Sequence, residues 1–186
     1  AFQDIDDRTR RRNYREAMLQ LLQKAFRHVD TEATLRELVR VHAERANAFA
    51  SLLTIKQDDG LIVRADHDAP DELIRLTEEA GVDRNASPSA FALVNETSIF
   101  VDCIEKLPID ERCRKRLSDL SITSCWSYPV RNREGGSIGS LTVYLSDSRM
   151  PDDEELEALE QASYLTSVFM DRSDLLDENY RLSQVA

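Results

Sequence analysis

From Ile122 to Leu145 the chain sets β-branched and aromatic residues among small polar ones, breaks at a short polar turn, and resumes the pattern. One arm reads Ile-Thr-Ser-Cys-Trp-Ser-Tyr-Pro-Val-Arg and the other Gly-Ser-Leu-Thr-Val-Tyr-Leu. Gly135 and Gly136 lie between them and can supply the positive φ of a tight hairpin. The stretch therefore reads as two antiparallel strands. Successive side chains of a strand point to opposite faces, so Ser124, Trp126 and Tyr128 share one side and Cys125 and Ser127 the other. A pocket can use either. Pro151 follows, then a helix whose first turn carries Asp152, Asp153, Glu154 and Glu155, where the helix dipole favours negative charge.

The rest of the chain supplies partners for this hairpin. Tyr14, Met18, Leu21, Leu22, Ala25 and Val29 recur at spacings of three and four and place one apolar face on a helix from about Asp7 to Val29. Asp30 or Thr31 can cap a second helix, because a side-chain oxygen there accepts from free backbone N–H groups, and Leu35, Leu38, Val39, His42 and Ala46 form its stripe. Phe49 to Ile55 and Leu61 to Ala65 read as strands, joined by Gln57-Asp58-Asp59-Gly60 with an Asp-Gly hairpin signature. Ala69 to Ala80 reads as a helix with Pro70 and Asp71 in its first turn, Gly81 to Ser89 as turn-rich, Ser98 to Asp102 as a strand and Pro108 to Leu120 as a short polar helix. Leu156, Leu159, Ala162, Val168 and Phe169 give the last helix its core contacts, and Asp174 to Gln184 continues it.

Composition narrows the function classes. With 186 residues, 41% hydrophobic content and few Gly or Pro, the chain can bury a sizeable core as one domain with extra terminal helices. Lys and Arg number 24 against 35 Asp and Glu, a net charge of -11 that repels a phosphate backbone and argues against nucleic acid as partner. The run Arg8-Thr9-Arg10-Arg11-Arg12 is a local exception, muted by Asp4, Asp6 and Asp7 and read as a solvated helix start. No apolar run reaches the roughly 20 residues of a membrane span, so direct membrane insertion is not expected. Cys103, Cys113 and Cys125 are odd in number and far apart, without metal-ligand spacing, and read as free thiols in a reducing cytoplasm.

The strand, turn, strand and helix order, with Cys125-Trp126-Ser127-Tyr128-Pro129-Val130 entering the turn and Gly139 leaving it, closely resembles the C-terminal half of a GAF domain, the small-ligand sensor module of bacterial signalling proteins. The resemblance covers roughly Thr31 to Arg172. It implies an α/β (α+β) fold with a central antiparallel sheet of about five or six strands. The N- and C-terminal helices pack on one face, and the loops of Gly81 to Ser89 and Glu105 to Leu120 lie on the other. Phe2-Gln3-Asp4-Ile5-Asp6-Asp7-Arg8 resembles the exit motif of a PAS domain, with Asp6 where Thr is usual. Together these imply residues 1–30 as a linker and signalling helix after an upstream PAS-like domain, 31–172 as the sensor, and 173–186 as a helix toward an output domain. By resemblance that output is a cyclic di-GMP synthase or phosphodiesterase, or a histidine kinase of a two-component system.

The implied ligand cavity would use Phe91, Phe100, Asp102, Ser124, Trp126 and Tyr128, which sit on or beside the strands that frame it and combine apolar walls with a few polar groups. Simple core packing of Trp126 and Tyr128 is the bland alternative. Asn95, Phe100 and Asp102 match in type the Asn-Lys, Phe and Asp-Glu constellation of cyclic-nucleotide-binding GAF domains, but the Lys and the paired acids are missing. The family often shows Asp where Cys103 stands and a Gly-rich segment where Asn85-Ala86-Ser87-Pro88-Ser89 stands. Haem would fall to His67, which between Asp66 and Asp68 reads as an exposed polar residue, and no Cys has a bilin-lyase context. An unidentified small molecule is the remaining ligand, with no cofactor or metal assigned.

An enzyme needs a nucleophile, a base and an orienting group, and the parts on hand are Cys125 with His28, His42 or His67, none of them in a Gly-rich turn. The fragment is expected to be non-catalytic. Two alternatives stand beside the sensor: a structural dimerisation module without ligand, and a GAF-fold enzyme of the methionine sulfoxide reductase type. Both end helices carry more apolar positions than one domain face covers, which predicts a parallel homodimer through Tyr14, Met18, Leu21 and Leu22 of the first helix and Phe169, Leu176 and Tyr180 of the last.

Overall fold

Five strands hydrogen-bond into one antiparallel sheet because two hairpins, distant in sequence, meet edge to edge. The computed structural model describes the backbone of residues 2–25 and 30–185 and the side chains of residues 8–24 and 30–171. Strands β1 (Ala50–Gln57) and β2 (Gly60–His67) form the first hairpin, β4 (Ser124–Arg131) and β5 (Ser137–Leu145) the second, and β3 (Ile99–Val101) closes the far edge. The order is β2-β1-β5-β4-β3, with Leu53 opposite Leu141 at the seam and Phe100 opposite Trp126 at the edge.

Two apolar layers lie on this sheet. Leu53, Ile55, Trp126, Val130, Leu141, Val143 and Leu145 point to one face, where they pack against α1 (Phe2–Ala25), α2 (Thr31–Ala46) and α6 (Asp153–Val185). Ala50, Leu52, Ile99, Val101, Cys125 and Tyr144 point to the other and meet α3 (Asp71–Ala80), α4 (Pro88–Asn95), α5 (Glu111–Asp119) and a 3-10 turn at Ile104–Lys106. The end helices thus share one face, as the GAF resemblance implies.

Local chemistry explains the boundaries. Asp30 caps α2 by accepting from the N–H groups of Glu32 at 2.9 Å and Ala33 at 3.3 Å. Asp152 and Glu155 form a reciprocal capping box at the start of α6, each carboxylate accepting the other's N–H at 2.8 and 3.0 Å. Gly139 sits where β5 crosses β1 so closely that a Cβ would overlap the Thr54 carbonyl oxygen and fall 2.9 Å from Ile55 Cδ1.

Three expectations change. Phe91 to Asn95 belongs to α4, which starts inside the stretch read as turns, because Ser87 caps it by accepting from Ala90 N at 3.1 Å and Pro88 occupies its first turn. Phe2 to Arg8 is helical from its first residue and forms the opening turns of α1. Met18, Leu21 and Phe169, expected at a dimer face, are at most 6% exposed within the protomer's own helical layer. Tyr14 is half-buried there, and its hydroxyl donates to the Ala158 carbonyl at 3.4 Å, so the stripe on α1 is largely spent on α2 and α6. Leu22 is 39% exposed, beside Leu19 at 60%. The side chains of Leu176 and Tyr180 lie outside the described residues.

Candidate functional site

The six residues expected to line a cavity are split by the parity of the strands. Trp126 is fully buried on the helical face, where its Nε1 donates to the Arg149 carbonyl at 3.2 Å and the Arg149 guanidinium stacks 4.5 Å from the ring centroid. Ser124 bonds the Asp147 carbonyl at 2.7 Å, and Phe100 and Tyr128 pack against the same helical layer. Phe91 packs on the opposite face from α4. Asp102 sits at the rim and pairs with Lys106 at 2.7 Å, a contact that holds its carboxyl below the usual range. The structure does not bring these six together.

What it does bring together is a set of hydroxyls on the face covered by α3, α4 and α5. Strand pairing places Thr54 opposite Ser140 and Ser127 opposite Thr142, and all four are fully buried. Thr54 Oγ1 and Ser140 Oγ lie 2.8 Å apart, Ser127 Oγ and Thr142 Oγ1 2.7 Å, and Ser89 of α4 reaches Thr142 Oγ1 at 2.9 Å. Thr77 of α3 donates to the Leu73 carbonyl at 2.9 Å. These groups form a polar floor in an otherwise apolar layer, and each has a partner.

Tyr144 is the exception. Its ring is fully buried beside Cys125, its register partner, and its hydroxyl lies beside Ser89 and Thr77 but meets hydrogen-bond geometry with neither. Burial pushes the phenol well up, with Cys125 and Cys113 adding to the shift. Ser89 and Thr77 offset part of that shift as imperfect hydrogen-bond neighbours, and a group in full geometry would be worth about 1 kcal/mol to this hydroxyl.

The thiols here are held protonated. Burial raises Cys113 to about 11 and holds Cys125 well above the usual thiol value, Cys113 adding to the effect on Cys125. Neither is a ready nucleophile. A groove of about 170 Å³ between α3 and α5 reaches Cys113 past Leu76, and Arg116 straps it by approaching Glu72 at 3.6 Å and Glu79 at 3.5 Å. Cys103 stands apart and is half-buried, its Sγ–H donating to Glu105 Oε2 at 2.6 Å. His67 is near Asp68 at 3.5 Å, His42 is buried in the helical layer, and His28 lies outside the described residues. Among the described residues no three His, Cys, Asp or Glu side chains converge as a metal site, and no helix is long and apolar enough to cross a membrane.

A GAF domain family model matches residues 28–171, the part of the chain that holds this five-stranded antiparallel sheet. The chain belongs to the GAF domain family. Solved GAF domains share the fold at low identity. A structure of a GAF domain superposes with a TM-score of 0.68 at 13% identity, covering 85% of this chain and 87% of that one. The GAF domain of a phosphoenolpyruvate-protein phosphotransferase from Coxiella burnetii gives 0.67 at 16%, covering 87% and 95%. A phycocyanobilin-bound GAF domain from a cyanobacterial phytochrome gives 0.65 at 16%, covering 87% and 96%. A methyl sulfide methyltransferase-associated sensor from Methanosarcina acetivorans is 28% identical over 93 residues, which make up 50% of this chain and 9% of that protein.

The hydroxyl floor was within reach of the sequence. Thr54, Ser127, Ser140 and Thr142 are small hydroxyl residues inside strongly β-forming runs, and period-two alternation sets Ser127 on the side away from Trp126. Arg149, Arg45 and Glu155, which organise the helical side, carried no such signal.

Proposed function

We propose that this GAF domain is a regulatory sensor that takes a small molecule against the hydroxyl-floored face, over Tyr144, Ser127 and Thr142 and beneath α3, α4 and α5. The observation that carries the reading is the buried Tyr144 hydroxyl, which misses full hydrogen-bond geometry with Ser89 and Thr77 beside an otherwise satisfied polar set. A ligand with a hydrogen-bonding group and an apolar body satisfies that hydroxyl and lies along the apolar wall of this layer. The groove at Cys113 offers a way in if Arg116 releases Glu72 and Glu79.

Native mass spectrometry of freshly purified protein is expected to show a retained small-molecule mass that Tyr144→Phe weakens by about tenfold in affinity, the worth of one buried hydrogen bond. Tyr128→Phe, on the other face, leaves it unchanged. A chain of bare mass, with Tyr144 ring signals unmoved by a metabolite extract, would overturn the reading.

The name of the Methanosarcina relative supports placing the domain in a longer signal-transduction chain. In that chain the sensor sits in the cytoplasm between a PAS-like domain and a cyclic di-GMP or histidine kinase output, and signals through α1 and α6 in a homodimer. Exposed Leu19 and Leu22 on α1 and Tyr164 on α6 are the surface that supports pairing.

A further inference from the structure

The protein carries -11 overall, yet two clefts flanking Tyr14, of about 230 and 370 Å³, gather Arg10, Arg11, Arg15, Arg40 and Arg45 beside Glu44, Glu154 and Glu157 among the described residues. Tyr14 and Arg45 border both. Arg45 also borders a third cleft of about 300 Å³, where Arg149 faces Asp147, Asp152 and Glu155.

Arg45 is the unusual member, because it is 7% exposed in the last turn of α2. A guanidinium carries five N–H donors. Among the described residues Arg45 makes one hydrogen bond, from Nη2 to Glu154 Oε2 at 3.2 Å, and the same carboxylate accepts from Arg11 Nη1 at 2.8 Å. Arg40 is engaged by Glu44 at 2.8 Å. One half-exposed carboxylate therefore accepts from two guanidinium groups, and among the described residues it is the protein acceptor that Arg45 has. His42, one turn earlier, is 1% exposed with both ring nitrogens unpartnered and brings no negative charge. Burying a cation this far is costly unless charge and hydrogen bonds compensate it.

A planar fork of N–H donors matches the oxygens of a phosphate or carboxylate two at a time. We propose that the clefts around Arg45 form an oxyanion site, which takes a small phosphate-bearing molecule and bridges α1, α2 and α6. The site is on the opposite face of the sheet from Tyr144, so it stands independently of the sensor reading. Its occupant would fasten the two end helices to α2.

Pyrophosphate is the probe, added in metal-free buffer at constant ionic strength and followed by thermal unfolding and by the Arg Nε–Hε signals in nitrogen-15 NMR. We expect a saturable rise in Tm and a shift of the Arg45 signal. Affinity should fall about tenfold in Arg45→Lys, vanish in Arg45→Met and hold in Arg75→Met, an exposed arginine of α3. Tyr144→Phe should leave the response intact. Phosphatidylglycerol vesicles separate two sources of the same chemistry: co-sedimentation competed by pyrophosphate assigns the phosphate to a lipid headgroup, and a pyrophosphate response without co-sedimentation assigns it to a soluble molecule. A Tm rise that potassium chloride reproduces, or one kept by Arg45→Met, overturns the proposal. If that variant does not fold, an unmoved Arg45 signal in the wild type does so.

Discussion

His42 offers the sharpest test of the packing described above. Its ring is 1% exposed and both nitrogens lack partners, so protonation inside the helical layer is opposed first by burial and then by the Arg45 charge, and its pKa falls from 6.5 to about 4. The folded value lies below the unfolded one, so as pH falls the unfolded chain takes up the proton first. The contribution is complete above about 6.5 and is lost as pH drops toward 4. At ~1.36 kcal/mol per pH unit the full interval amounts to about 3 kcal/mol, of which about 2 kcal/mol is gone by pH 4.5. Carboxylates also titrate in this range, so the measurement is a difference. Urea unfolding of the wild type and His42→Leu, followed through the one tryptophan, Trp126, gives both stabilities at pH 7 and pH 4.5. Leu removes two orphaned nitrogens and should be the more stable by about 1–2 kcal/mol at pH 7. Its advantage should widen by about 2 kcal/mol at pH 4.5. An advantage that stays constant between the two, at equal m-values, would refute the argument.

Gly139→Ala should lose about 3 kcal/mol or more in the same assay, because the new Cβ meets the Thr54 carbonyl and Ile55 and both belong to the central seam of the sheet; a loss under 1 kcal/mol would mean β1 and β5 can separate cheaply. Iodoacetamide at pH 7.5 should add at most one adduct to the native protein, at Cys103, since burial keeps Cys113 and Cys125 protonated. Two or more adducts before unfolding would instead favour the methionine sulfoxide reductase alternative. Sedimentation equilibrium at micromolar concentration should show a dimer that Leu19→Asp with Leu22→Asp converts to monomer; a wild-type monomer, or a dimer indifferent to both changes, would remove α1 as a pairing surface.

The hairpins and most helices were legible because period two and period 3.6 are written directly in the apolar residues, while the single sheet and the shared face of the end helices followed from the resemblance to GAF domains. Asp30 was legible as a cap for the same local reason. The face used by each strand was not. Alternation says that Trp126 and Tyr128 go together and apart from Cys125, but only the covering elements decide which side is the helical layer, and a large aromatic serves either. Likewise the stripe on α1 announced something to bury without saying whether its partner was another protomer or α2 and α6, and the protomer's own helices take Met18 and Leu21. Helix α4 was missed although Ser87-Pro88 is a start signal, since its eight residues are too short for the period to stand out.

Arg149 gives the last helix a fulcrum. It stacks on Trp126 of β4, donates to the Ala46 carbonyl at the end of α2, and grips Glu155 of α6 at 2.8 and 3.0 Å, so the base of α6 is pinned to two other elements. Ser163 adds a second fixing by donating to the Pro129 carbonyl at 2.8 Å. From that base α6 runs 33 residues, about 50 Å of rod at 1.5 Å per residue. Its first half, as far as Phe169, is packed in the domain, so a tilt of about 5° there swings the far end by about 2 Å. The helix is thus a lever whose inner half is held by the domain, and adjustments around β4 and β5 that tilt this half would leave the domain as displacements of the far end.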